Sequence, residues 1–230
     1  VRSMILTPLA GAVAVLSKNQ KDLGVALVDV GLGKTSMCVY EEGKLLHTSI
    51  FPVGSGNITN DLAIGLKIPV LDAETVKLTF GCAVSDAVSA REKLDLATIS
   101  SGCTGQVSKK FIADIIEVRL AEIFELVNNE LKFIGKAGKL PAGVVLVGGG
   151  VKLPGTVELA KREFKLPVQI GIPASSISAS HDERLTEQVE DPEFVCALGL
   201  LKYGHETLLE PRGAPFAGGV IKRFLPNLAP

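Results

Sequence analysis

The stretch "LVDVGLGKTSMCVY" (Leu27 to Tyr40) sets Asp29, Gly31, Gly33, Lys34 and Thr35 at the end of an apolar run. Gly-Lys-Thr after such a run suggests a Walker phosphate loop, but that loop needs its first glycine at position 28, which is Val28, and a helix directly after Thr35. The residues that follow are β-branched and aromatic instead. Asp-Val-Gly-Leu-Gly better fits a hairpin turn. There, Gly31 and Gly33 are expected to turn amide groups outward as an anion nest, with the Asp29 carboxylate holding Mg²⁺ through water. Many Gly-x-Gly hairpins bind nothing, so this turn alone does not decide the matter. A second cluster, Gly148-Gly149-Gly150 in "VVLVGGGVKLPG", closes a buried apolar run just before a helical stretch. Ligands of open α/β sheets bind outside such strand ends, and three glycines let backbone approach a flat ring closely. A plain strand-to-helix turn needs only one of them.

These residues must be held by a definite set of elements. "GVALVDVG" is apolar throughout, as a strand covered on both faces requires. Two β-rich segments then flank Glu41-Glu42-Gly43-Lys44, a hairpin signal. Thr59 is expected to cap a short helix, "NDLAIGL", and Asp72 a second, "AETVKLTFG", closed by Gly81. Residues 85–105 give no clear pattern. Ser108 opens the strongest helix, with Ile112, Ile115/Ile116, Leu120, Ile123/Phe124, Val127 and Leu131 on one stripe. Strand, helix, strand and helix follow, the last closed by Gly204. Three hairpin-linked strands followed by such crossovers predict an α/β, ribonuclease H-like mixed five-stranded sheet with flanking helices and an insertion at about 70–140.

Composition narrows the function classes. Lys+Arg 24 against Asp+Glu 25 leaves a formal charge of −1 and no basic field for a nucleic-acid backbone. Cys38, Cys82, Cys103 and Cys196 are scattered, without the paired spacing of zinc or redox sites, which suits a reducing cytosol. No stretch reaches the ~20 apolar residues of a membrane span. The chain starts with Val1, and Pro8 and Gly11 break the apolar segment behind Arg2, so it reads as part of a longer protein rather than as a signal peptide. His47, His181 and His205 have no catalytic spacing.

From "GVALVDVGLGKTSMCVYEEGKLLHTSIFPVGSGNITNDLAIGL" through "AETVKLTFGCA" and "FIADIIEVRLAEIFELV" to "VVLVGGGVKLPGTVELAKREFKLPVQIG", the chain resembles the bacterial cell-division FtsA family of the actin and heat-shock-chaperone superfamily. "ITNDLAIGL" is the specific part, because a glycine hairpin alone also fits sugar kinases and chaperones. The resemblance implies an actin-type ATPase fold. Residues 1–23 would be the last helix of a preceding lobe, 24–70 and 141–205 the core domain, 71–140 an inserted α+β lobe, and 206–230 a linker with an amphipathic tail. It further implies ATP and Mg²⁺ as ligands. Asp29 would stand on the metal side, Gly31, Leu32, Gly33, Lys34 and Thr35 at the phosphates, Gly148, Gly149 and Gly150 beside the adenosine, and Glu74 and Lys77 along the nucleoside wall. On their own, Glu74 and Lys77 are also readable as a solvated ion pair one helical turn apart.

The implied function is a protein at the inner face of the cytoplasmic membrane that links a tubulin-like division ring to the bilayer, recruits division components and self-associates into actin-like filaments. The ring protein's acidic C-terminal peptide would meet the inserted lobe near Lys109 and Lys110. Val220, Ile221, Phe224, Leu225 and Leu228 would face lipid, although Pro226 interrupts that helix. Two departures from the family pattern matter. Lys34 stands where the family has its first threonine, and Ser36 where it has a carboxylate near the hydrolytic water. A hydroxyl is a poor general base, so hydrolysis is expected to be slow or absent. A lone lobe of a two-lobed clamp is expected to hold ATP weakly. Two other roles fit the same superfamily, an ATP-binding platform of pilus assembly and a sugar-kinase-like phosphotransferase.

Overall fold

The computed structural model describes residues 4–100, 102, 104–173 and 189–209. Strands β1 (Val25–Val30), β2 (Thr35–Glu41) and β3 (Lys44–Phe51) form an antiparallel meander. Its β2–β3 turn places both Glu42 (φ 51°) and Gly43 (φ 71°) in the left-handed region, the backbone of a two-residue hairpin loop. Strand β6 (Val144–Val147) lies parallel to β1, and β7 (Val168–Ile170) parallel to β6, giving the order β3-β2-β1-β6-β7. This is the mixed five-stranded α/β sheet expected.

Helices cover both faces, which explains the unbroken apolar run of β1. Ala26, Val28, Val30, Met37 and Val39 face one cluster with residues of α3 (Ser55–Leu66), α4 (Val70–Phe80), α5 (Lys109–Phe133) and α6 (Thr156–Phe164). The α5 stripe is buried as its periodicity predicts, except that Ile115 is only half-buried, and Phe124 meets Phe164 of α6 with ring centroids 5.2 Å apart. Between α4 and α5 the chain makes a short antiparallel ladder of β4 (Lys93–Asp95) and β5 (Gln106–Ser108), and Ser108 caps α5 through the Lys110 amide. On the other face, Val25, Leu27, Cys38, Val145 and Val147 meet α1 (Thr7–Val15) and α7 (Val195–Leu209). Here Gly199 passes so near α1 that a Cβ on it would lie 1.9 Å from the Ala10 carbonyl oxygen.

Four local expectations change. Within the segment expected to be a single helix, residues 4–23 hold two, because Ser17 and Gln20 form a capping box that starts α2 (Lys18–Leu23). Thr59 is no cap, since α3 begins earlier behind Gly54, whose amide donates to Asn57 Oδ1 at 3.0 Å. Asp72 falls inside the first turn of α4, behind Pro69. Gly204 does not stop α7, which continues to Leu209. Among the described residues, no helix is long and apolar enough to cross a membrane. The tail at 219–230 and His181 lie outside the described residues.

Candidate functional site

A cleft of about 670 Å³ opens at the C-terminal ends of the parallel strands β1 and β6. Asp29, Gly31, Leu32, Glu74, Lys77, Gly148, Gly149 and Gly150 line it together. These residues come from three separate parts of the chain, and the fold unites them.

The floor is the turn after β6. Gly148 has φ 93°, and its amide donates to the Pro192 carbonyl at 2.9 Å. A Cβ on it would come within 2.4 Å of Asp29 Oδ1 and 2.6 Å of the Val30 carbonyl oxygen, so no other residue fits without moving the strand end. Gly150 is crowded by Val30 and Ser55, whereas Gly149 meets only Glu193, at an ordinary 3.5 Å. Asp29 sits beside this floor at the end of β1 and accepts a hydrogen bond from the Cys196 thiol, Sγ to Oδ2 3.2 Å. Burial pushes the Asp29 carboxyl above its ordinary range, against the opposing pull of the Cys196 bond and the Lys34 charge.

The β1–β2 turn is built differently from the expected nest. Neither Gly31 nor Gly33 adopts positive φ, and the Gly31 amide closes the turn on the Lys34 carbonyl at 3.0 Å. The N-terminus of α3 then buttresses it, with Ser55 N–H donating to the Gly31 carbonyl and Gly56 N–H to the Leu32 carbonyl, both at 2.8 Å. Gly54 makes this approach possible, since a Cβ there would lie 2.5 Å from the Gly31 carbonyl oxygen. Thr35 is fully buried and donates to the Val53 carbonyl at 2.8 Å. Gly33, Lys34 and Thr35 are not among the residues lining the cleft.

The opposite wall is a polar cluster built around a buried lysine, with Glu74 half-buried beside it. Lys77 is 4% exposed; its Nζ lies 2.7 Å from Glu74 Oε2 and donates to Thr59 Oγ1 at 2.8 Å and the Ser55 carbonyl at 3.4 Å. Thr59 in turn donates to Glu74 at 2.5 Å. Burial works against the charge on Glu74, but the bonds from Lys77 and Thr59 and the Lys77 charge outweigh it, holding the carboxyl below its usual range. Sequence reasoning missed Ser55, Thr59, Lys152, Glu193 and Cys196. Ser55, Lys152, Glu193 and Cys196 line the cleft, and Thr59 stands behind it. Only Thr59 left a trace in the sequence, within "ITNDLAIGL".

Elsewhere, Lys109 pairs with Glu92 at 3.0 Å and Lys110 with Asp86 at 3.1 Å, so both lysines spend their charge on the chain's own surface. His47 pairs with Glu130 at 2.6 Å. Among the described residues no three His, Cys, Asp or Glu side chains gather as a metal cluster.

Sheet order, crossover pattern and cleft position define the fold of the actin-type ATPases. A solved PilM–PilN type IV pilus biogenesis complex overlays 91% of this chain and 54% of its own at TM-score 0.65 and 22% identity. MreB5 of Spiroplasma citri bound to ADP overlays 89% and 60% at TM-score 0.65 and 18% identity. Within that fold, the chain belongs to the cell division protein FtsA family, whose family model matches residues 26–199. The Pseudomonas aeruginosa cell division protein FtsA is 37% identical over 204 residues, covering 89% of this chain and 48% of the relative. The chain spans about half the length of the curated relatives it matches.

Proposed function

We propose that this chain is the nucleotide-holding part of an actin-like cell-division protein, which binds ATP with Mg²⁺ and couples a tubulin-like division ring to the inner face of the membrane. The observation that carries the nucleotide assignment is the Lys77–Glu74–Thr59 cluster facing the Gly148–Gly150 floor across one cleft. A buried ammonium and a carboxylate held charged offer fixed donors and acceptors to a ribose, while the open flank of Gly149 leaves room for a flat base. The phosphates would then extend toward Asp29. A single carboxylate suits Mg²⁺, which keeps most of its waters and takes further oxygens from phosphate. The Asp29 carboxylate therefore fits the outer position, and the ion would supply charge neutralisation there.

The same reading divides the chain into a core domain at 24–70 and 141–205 and an inserted lobe at 71–140. It leaves residues 219–230 to reach the membrane and assigns filament contacts to the actin-like surface. With Lys109 and Lys110 already paired, an acidic ring-protein peptide has to displace Glu92 and Asp86 to reach them. Ser36, buried and without a carboxyl group, supports at most slow hydrolysis.

Magnesium–ATP titrated into isotopically labelled chain, followed by amide NMR, tests the nucleotide assignment. Shifts at Gly148, Gly149, Gly150 and Lys77 are expected, with affinity weaker than about 1 µM (roughly −8 kcal/mol) for a half-length chain, and Lys77→Ala is expected to weaken it at least about 10-fold. No shift at millimolar ATP overturns the assignment.

A further inference from the structure

One contact in the cleft lies outside the nucleotide assignment. Cys196 sits at the start of α7 with its Sγ 3.2 Å from Asp29 Oδ2, and its next acceptor, the Thr7 carbonyl, is 3.7 Å away. An ionised carboxylate only accepts, so the thiol is the donor. The other carboxylate oxygen, Oδ1, occupies the space that the missing Gly148 side chain leaves free. Ser36 stands directly opposite Asp29 on β2, yet its buried Oγ has no hydrogen-bond partner. Among the described residues, Cys196 is thus the side chain that donates to Asp29.

We propose that Cys196 is a positioning residue for Asp29: its S–H bond to Oδ2 fixes the carboxylate rotamer, leaving Oδ1 as the oxygen that a hydrated Mg²⁺ carried by the nucleotide would use. This rests on the nucleotide assignment above. The physical logic is that of the hydrogen-bond partners behind metal ligands, which orient the ligand and tune its basicity. A thiol suits this role here. It is a weak donor, so it holds the carboxylate without drawing much of the negative charge that the cation needs. It also joins the metal side of the cleft to α7, and through the Thr7 and Gly199 contacts to α1.

Two measurements test the role. In the unliganded chain, the infrared S–H stretch of Cys196, isolated as the difference between wild type and Cys196→Ser, is expected to move to higher wavenumber in an Asp29→Ala background. A band that does not move shows that the bond is absent and overturns the proposal. In binding, the Mg²⁺ concentration needed for half-maximal ATP binding is expected to rise about 3- to 10-fold in Cys196→Ala. Cys196→Ser, which keeps a donor, is expected to restore it, while ATP binding in chelator changes little. A purely structural role lowers the melting temperature of Cys196→Ala without separating metal-dependent from metal-free binding, and that result overturns the proposal. If wild type binds ATP and both variants share its Mg²⁺ dependence, the positioning role alone falls. If wild type shows no response to ATP, the cleft assignment falls and takes this role with it.

Discussion

The two glycine turns at the mouth of the cleft look alike in sequence and work by different means. In the turn between β1 and β2, Gly31 and Gly33 avoid the left-handed region, and a Cβ on Gly33 would meet nothing within 4 Å. Hydrogen bonds from the start of α3 fix that turn's shape. In the turn after β6, Gly148 is left-handed and packed against Asp29 and Val30, so its missing side chain is itself a structural component. Glycine therefore marks an open position at Gly33 and excluded volume at Gly148, with Gly31 between them, since a Cβ there would lie 3.1 Å from the Lys34 carbonyl oxygen.

Substitutions can break or sharpen this contrast. Gly148→Ala is expected to cost the most, about 2–5 kcal/mol in urea unfolding, because a left-handed backbone and contacts of 2.4 and 2.6 Å penalise the new methyl together. A loss below about 1 kcal/mol would erase the contrast. Gly150→Ala is expected to cost less, about 1–3 kcal/mol, since its backbone lies outside the left-handed region, although a Cβ would meet the Val30 side chain at 2.6 Å and its carbonyl oxygen at 2.9 Å.

Asp29→Asn sharpens the contrast from the carboxylate between the turns. The folded-state pKa of Asp29 is raised, so its contribution to stability is complete below the ordinary carboxyl range and is lost as pH rises through the folded value. Asparagine is therefore expected to be the more stable at neutral pH, with the gap closing in acid, as thermal melts at pH 3 and pH 7 would reveal. Gly33→Ala is expected to do least, between no change and a gain of about 0.4–1 kcal/mol. A loss above about 1 kcal/mol would mean that the hairpin turn is as constrained as its partner.

Much of the architecture was legible because its signals are local. The unbroken apolar run of β1, the Glu42-Gly43 turn and the α5 stripe each declare an element without reference to anything distant. Helix starts were less legible. Thr59 has the chemistry of a cap, but α3 begins at Ser55 because Gly54 lets the chain press against the hairpin, a contact between segments that local pattern does not encode. Gly204 illustrates the same limit. Glycine inside a helix costs about 1 kcal/mol relative to alanine, which did not end α7. Of the residues lining the cleft, Asp29, Gly31 and Gly148–Gly150 stood out by type and position, whereas Glu74 and Lys77 came only from the family resemblance. Cys196 was found by neither route, because an isolated cysteine gives no sign that folding will place it against a carboxylate contributed from far upstream.

The close crossing of α1 and α7 bears on the order in which the molecule is completed. Gly199 admits the Ala10 backbone, and the Lys202 ammonium reaches the Val13 carbonyl at 3.3 Å, so segments near opposite ends of the described chain finish one face together. Contacts so distant in sequence demand that a long loop be closed before they repay its entropy. During synthesis, then, Leu27, Cys38 and Val145 wait half-covered until α7 has left the ribosome. A chain halted before Val195 would present that apolar face to whatever chaperone or neighbouring chain arrived first.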